Sequence, residues 1–209
     1  MKGTLQKIAK VISPTNPLRE WEGGYLHTSK GEVVMTDGRR MLLISDCEVK
    51  DKDYFIDKEG EEVNTFNFPK YEKYSDDGYY MWSQSFEIDL GSLITDKGWM
   101  KKGCKQRVLF RSKGYKVVSK TEAFETDKGL GLFNTSFLAD FLRVVRTYYK
   151  NRAKSIKVTM YLNAQGVLPL HILTEDKKFH YIVMPIQYRG VIDNETTEVV
   201  ELVKEKTIF

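Results

Sequence analysis

The sequence has few of the residues on which catalytic and metal-binding sites depend: two cysteines and three histidines among 209 residues. His27, His171 and His180 form no HxxxH or HExxH pair, and Cys47 and Cys104 lie in no CxxC motif. This disfavours a metal site and favours reduced, buried thiols, with a single disulfide as the alternative. Neither a Ser/His/Asp order nor a complete phosphate-binding loop stands out. We therefore expect a protein that is not an enzyme and uses no cofactor or metal.

Long apolar runs are also missing. No stretch of 18 apolar residues occurs, so the sequence predicts no transmembrane helix and no membrane partner. The first residues, MKGTLQK, lack the apolar segment of a signal peptide, and a cytoplasmic location is the expectation.

Aromatic residues, at 12%, and hydrophobic residues, at 41%, are plentiful enough for a core with substantial sheet faces. The net charge of +4 permits contact with nucleic acid without requiring it.

A helical pattern followed by three strand patterns occurs twice. In the first unit the helical stripe covers 3–13, and the strand patterns cover 24–28, 32–36 and 41–45. In the second, a cap at 134–136 precedes apolar residues at helical spacing, and the strand patterns cover 155–162, 167–173 and 179–186. This order predicts an α+β fold in which a helix-plus-antiparallel-strand unit is repeated.

The chain divides accordingly into four parts: a first unit (1–49), an inserted or divergent β-rich segment (50–128), a second unit (129–188) and a tail (189–209). The inserted segment begins with a run of acidic residues. Its sequence patterns predict paired strands at 54–57 and 62–66 and an aromatic strand at 79–88. They also predict a short helix at 89–100, a hairpin of 107–110 with 115–119 and a loop at 120–128. Gly129 to Gly131 is interpreted as helix entry. The tail is predicted to be a short helix or a terminal strand.

Positive charge concentrates in the second unit. No Asp or Glu occurs between Phe141 and Thr174. The cations of this region that we predict to contact a polyanion are Arg143, Arg146, Lys150, Arg152 and Lys154, with Lys7 and Lys10 of the first helix as second choices. The alternative is a solvated face whose cations favour the negative helix C-terminus.

Three short sequence patterns carry a resemblance to a known family, and they follow one another in the same order as in that family. Segment 32–42 is an apolar strand that leads into Thr-Asp-Gly-Arg-Arg-Met, segment 68–72 reads Phe-Pro-Lys-Tyr-Glu, and 132–142 with 181–186 pairs a helix opening with Tyr-Ile-Val-Met-Pro-Ile. Together they resemble the bacterial DNA polymerase III beta subunit, the sliding clamp. That family has Thr-Asp-Gly-His-Arg-Leu, Phe-Pro-Asp-Tyr, Phe-Asn-x-x-Tyr-Leu-x-Asp-x-Leu and a closing Val-Val-Met-Pro-Met.

The resemblance implies a DNA-clamp-like fold in a short, divergent member that acts as a processivity factor. Basic helices would contact duplex DNA without reading its sequence, and the chain would form a homo-oligomer. A DNA polymerase or other clamp-binding protein would insert a peptide into an apolar groove. The groove residues that the resemblance implies are Thr36, Gly38, Arg39, Arg40, Met41, Ile182, Val183 and Met184.

Departures from the family leave alternatives open. Arg39 stands in place of the family's His and Met41 in place of its Leu, the chain is shorter than a three-domain subunit, and a tail follows the Met-Pro segment. Met41, Ile182 and Met184 could equally be ordinary core residues. The alternative function is a clamp-derived interaction module that does not encircle DNA. A third is an unrelated α+β enzyme or small-ligand binder.

Overall fold

A nine-stranded antiparallel sheet with two helices on one face forms the body of the computed structural model. The structure describes residues 2–13, 21, 23–63, 67–72, 83–89, 107–111, 114–118, 131–163, 169–188 and 203–205. In the first part of the chain the elements are α1 (Lys2–Ile12), β1 (Tyr25–His27), β2 (Val33–Thr36), β3 (Arg40–Ile44), β4 (Tyr54–Ile56), β5 (Glu62–Val63), β6 (Ser83–Asp89), β7 (Arg107–Arg111) and β8 (Gly114–Val118). The later elements are β9 (Gly131–Asn134), α2 (Thr135–Tyr149), a 3-10 helix (Lys150–Ser155), β10 (Lys157–Asn163), β11 (Leu170–Thr174), β12 (Phe179–Val183), β13 (Ile186–Tyr188) and β14 (Val203–Glu205).

The two predicted units share this sheet, whose strand order is β5-β4-β1-β2-β3-β12-β11-β10-β6. They meet where β3 pairs antiparallel with β12, with Arg40 opposite Val183 and Ile44 opposite Phe179. We call this pairing the seam. Each unit supplies one helix, and α1 packs against α2. The predicted α+β fold with a repeated helix-plus-antiparallel-strand unit is confirmed.

Helix α2 begins where the cap was predicted. The side-chain oxygen of Asn134 accepts a hydrogen bond from the Ser136 amide at 3.0 Å, which satisfies one of the free donors of the first turn. Its apolar stripe, which includes Phe141 and Val145, is buried against the sheet. The ring of Phe141 stacks on Tyr181 of β12 at 5.0 Å between centroids. The helical spacing of apolar residues therefore identified the buried face correctly.

The two faces of the sheet bury different residues because side chains alternate along each strand. On the helix-bearing face, one large cluster contains α1, α2 and alternate strand residues such as Leu42 and Tyr181. A smaller cluster lies on the opposite, outer face. Its sheet residues are Val34, Met41, Leu43 and Ile182, joined by Met184 just after β12. We call these five residues the outer patch.

Several elements differ from the prediction. The segment at Gly131, interpreted as helix entry, is strand β9, which pairs with β7 in a three-stranded β8-β7-β9 sheet. The strand predicted for 179–186 ends at Val183, because Met184 and Pro185 leave the sheet and proline has no amide donor to continue a ladder. Chain pairing resumes in β13, whose partner β14 lies in the tail. Of the helix predicted for 89–100, Asp89 is the last residue of strand β6, and the other residues lie outside the described part of the chain, as does the loop predicted for 120–128.

Candidate nucleic-acid and peptide interfaces

The exposed stripes of α1 and α2 carry positive charge. Since both helices lie on the same face of the sheet, their exposed stripes point to the same side of the molecule. All seven cations predicted to meet a polyanion are exposed: Lys7, Lys10, Arg143, Arg146, Lys150, Arg152 and Lys154. Among the described residues, only one of the seven pairs with a carboxylate, namely Arg143. The helix layer, as we call α1, α2 and the 3-10 helix, is therefore a cationic surface.

A shallow depression of about 280 Å³ lies where α2 passes into the 3-10 helix. It is lined by Arg146, Lys150, Asn151, Ala153 and Lys154, a set with three cations and no carboxylate. The backbone turns sharply here, since Lys150 has φ of 53°, a value that side-chain-bearing residues seldom adopt. Arg146 lies four residues before Lys150 and Lys154 four residues after it, and all three line the rim of this depression. Groups with this arrangement can contact phosphate oxygens.

The helix layer has a single carboxylate within α1 and α2, that of Asp140. Its side chain is 15% exposed and lies between two guanidinium groups. Arg40 contacts one carboxylate oxygen at 2.6 Å, and Arg143 contacts the other from the surface. Because Asp140 is neutralised from both sides, it does little to weaken the positive potential of the layer.

Arg40 itself faces the interior, where it joins the two units. It donates to the backbone oxygens of Val11 and Ile12 at the end of α1, each at 3.0 Å, and pairs with Asp37 and Asp140. Burial lowers the pKa of its guanidinium, but contacts with Tyr181, Asp37 and Asp140 outweigh burial and the net shift is upward. The guanidinium therefore stays charged and closes the C-terminal end of α1. The family resemblance placed this residue in the peptide groove, and its burial was not foreseen.

The segments predicted to form a peptide groove are brought together at the seam. Met41 is opposite Ile182, and the amide of Met184 donates to the carbonyl of Arg39 at 3.0 Å. Thr36 and Gly38 build the turn before β3: the Gly38 amide donates to the Thr36 hydroxyl, and Gly38 has φ of 84°. Such a φ explains glycine at this position.

Burial divides the eight predicted groove residues. Arg39 is exposed, whereas Thr36, Gly38, Arg40, Met41, Ile182, Val183 and Met184 are buried. Val183 points into the helix-side cluster, while Met41, Ile182 and Met184 belong to the outer patch. The apolar side chains on the outer side thus lie together, but within this chain they are covered, and the peptide groove stays a prediction.

Residues 67–72 contribute to that cover, and we call them the strap. Phe68 and Tyr71 pack on the outer patch, and the Phe68 ring lies 6.3 Å from that of Phe55 in β4. Burial raises the pKa of Tyr71 above its ordinary value, and the negative charge of Glu32 raises it further. The sequence had singled out Phe68 and Tyr71 only as a family echo.

A buried histidine pair also escaped sequence analysis. His171 Nδ1 and His180 Nε2 lie 2.9 Å apart on neighbouring strands. Burial lowers the pKa of His171 to about 4, and burial together with His171 lowers that of His180 to about 3. Neither is part of a metal cluster: within the described residues, no three His, Cys, Asp or Glu side chains converge.

None of the helices that the structure describes is long and apolar enough to cross a bilayer.

Two helix-and-meander units that share one antiparallel sheet, with both helices on one side, define a DNA clamp fold. Comparison with solved structures gives the same result. The chain is similar to the DNA polymerase III subunit beta of Pseudomonas aeruginosa, with 13% identity, a TM-score of 0.57 and coverage of 89% of this chain and 65% of that one. It is similar to a putative DNA polymerase III beta subunit from Eubacterium rectale (14%, TM-score 0.59, 89% and 64%) and to that of Borrelia burgdorferi (14%, 0.57, 89% and 61%).

At these identities the likeness shows the fold. The chain spans 61% to 65% of the length of these three structures. No family model and no curated protein sequence matches the chain. The predicted resemblance to the sliding clamp is thus confirmed at the level of fold.

Proposed function

We propose that this protein is a sliding-clamp-like processivity factor, which contacts duplex DNA through the helix layer and holds client proteins at the outer patch. The observation that carries the DNA part is the charge of the layer: exposed cations with one carboxylate, Asp140, enclosed by Arg40 and Arg143. A clamp has no reaction to perform, and the proposal involves no catalytic group.

The physical basis for sliding is contact with phosphates alone. Lysine and arginine on a smooth helix layer bind the backbone without reading bases, so successive positions along the duplex are nearly equal in energy. The outer patch and the strap lie on the opposite face of the sheet, so a partner protein approaches from the side that DNA on the helix layer does not occupy. As the resemblance to the sliding clamp implies, we further propose that several copies assemble around the duplex.

The DNA contact is tested by fluorescence anisotropy with a labelled duplex over a range of salt concentrations. We expect the triple substitution R143E/R146E/K150E to abolish binding, because all three side chains are exposed cations of the layer. For milder single charge removals, such as Lys150→Gln, the slope of log K against log salt should fall by about 1 for each phosphate that the protein no longer neutralises. Light scattering measures the number of copies.

A matched control reverses three exposed lysines outside the helix layer, Lys30, Lys70 and Lys177. This variant has the same net charge as the triple variant and should retain binding. Equal loss in both variants would mean that only net charge matters and would refute the interface. Absence of duplex binding by the unaltered protein at low salt would instead favour the interaction module that does not load on DNA.

A further inference from the structure

The strap lies across the surface that the proposed function gives to client peptides. Phe68 and Tyr71, three residues apart, pack on the outer patch, while Lys70 between them is exposed. The segment lies outside the three sheets, so it rests on the patch without joining it as a strand. A segment that offers two aromatic side chains to an apolar surface from outside the sheet contacts it as a peptide ligand would.

We infer that the strap is an internal ligand of the client site, and that a client binds by displacing it. This inference rests on the proposed function, since it concerns the same outer patch. The partner that fits is an extended peptide with two large apolar or aromatic side chains three residues apart. The methionines Met41 and Met184 make the patch adaptable, because unbranched thioether side chains repack around different partners.

The contacts that hold the strap on the outer patch can be replaced by equivalent contacts from a client peptide. The burial of Phe68 and Tyr71 on the patch contributes apolar area, which a client with similar side chains would restore. The Tyr71 hydroxyl also interacts electrostatically with the carboxylate of Glu32, a residue of the first unit just before β2. Within the described part of the chain the strap belongs to no sheet, and segments outside a sheet ladder open at lower free energy than paired strands such as those of the seam.

The strap competes with a client peptide for the outer patch, and it has an advantage because it is part of the same chain. A segment of the same chain has a high effective concentration at the patch, so a free peptide of equal intrinsic affinity is excluded from the closed protein. Anything that weakens the strap raises the fraction of open protein and with it the apparent affinity for the peptide. The patch is thereby protected from unspecific apolar contacts when no client is present.

The test uses a fluorescein-labelled peptide with the sequence of residues 66–73, measured by anisotropy against the full chain. Tyr71→Phe removes only the hydroxyl that interacts with Glu32 and should tighten peptide binding by about threefold. The double substitution F68A/Y71A should tighten it further. Lys70→Ala is the matched control, because its side chain is exposed in the same segment, and it should bind like the unaltered protein.

Equal affinity in the unaltered protein, Tyr71→Phe and F68A/Y71A would overturn the strap's role and leave the client site in place. Failure of all folded variants to bind would remove both the strap's role and the peptide site, while DNA binding stays a separate test. Should the double variant unfold, hydrogen exchange on the unaltered protein decides. We expect the amides of Lys70 and Tyr71 to exchange at least about tenfold faster than those of Leu42 and Tyr181. If the amides of Lys70 and Tyr71 exchange only when the whole protein unfolds, the inference is overturned.

Discussion

Removal of the buried Arg40 guanidinium should destabilise the whole fold. Its side chain is 4% exposed, and those of Asp37 and Asp140 are 12% and 15% exposed. Arg40→Met keeps much of the side-chain length but leaves two partly buried carboxylates without this cation and the carbonyls of Val11 and Ile12 without this donor. Breaking a buried pair by removing one partner costs about 3–5 kcal/mol. We expect a loss of this size in the free energy of unfolding.

The measurement is urea unfolding followed by circular dichroism, with the slope m checked for constancy so that the midpoint reports stability. Arg143→Met is the matched control, because Arg143 contacts the same carboxylate of Asp140 from the surface, where its side chain is 42% exposed. An exposed pair contributes about 1 kcal/mol or less, so this variant should be nearly neutral.

A double-mutant cycle identifies the partner. If Arg40 and Asp140 act together, Asp140→Asn should cost less in the Arg40→Met background than alone, with a coupling of about 0.5–3 kcal/mol. Equal losses for Arg40→Met and Arg143→Met would show that burial gives Arg40 no special role. That result would refute the interpretation of Arg40 as the joint between the two units.

Two further predictions concern stability. His171 and His180 have lowered pKa values in the folded state, so the unfolded chain binds more protons below the ordinary histidine pKa of 6.5. The free energy of unfolding should therefore fall by about 4 kcal/mol between pH 7 and pH 5, with no titration of either ring by NMR above pH 5; a flat profile would contradict the burial of the pair. Gly24→Ala should destabilise by about 1–3 kcal/mol, because its Cβ would collide with the backbone oxygen of Ile56. Gly3→Ala in α1, where a Cβ meets nothing within 4 Å, should not destabilise, and thermal unfolding compares the two.

Sequence analysis located the regular elements because their signals are local. The apolar spacing of α2 and its Asn134 cap are properties of neighbouring residues, and both are seen in the structure. The break after Val183 was foreseeable from Pro185, which was nevertheless included in the predicted strand. Strand β9 was missed because its identity depends on pairing with β7, a partner that no pattern in residues 131–134 specifies.

The sequence indicated which residues to consider for the candidate sites, but not how buried those residues are or what they contact. The cations of the acid-free stretch are exposed, as long charged side chains usually are, but their contact with a polyanion stays a prediction. The peptide residues were chosen by resemblance, which gives no information on what covers them. That Arg40 turns inward depends on Asp140, which is 100 residues away in the sequence. The packing of Tyr71 on the outer patch likewise depends on residues that only the tertiary structure brings near, such as Met41 and Ile182.

The seam also has a consequence for biosynthesis. Lys178 next to β12 donates to the carbonyl of Ser45 next to β3, across 133 residues of sequence. While the chain is translated, β3 leaves the ribosome long before β12 exists, and its edge of unpaired backbone groups is open to other nascent chains. We therefore expect the first unit to stay unfinished, and to depend on chaperone protection, until the last strands are made. Pairing over such a separation is slow, so folding of the completed chain should be limited by closure of β3 on β12.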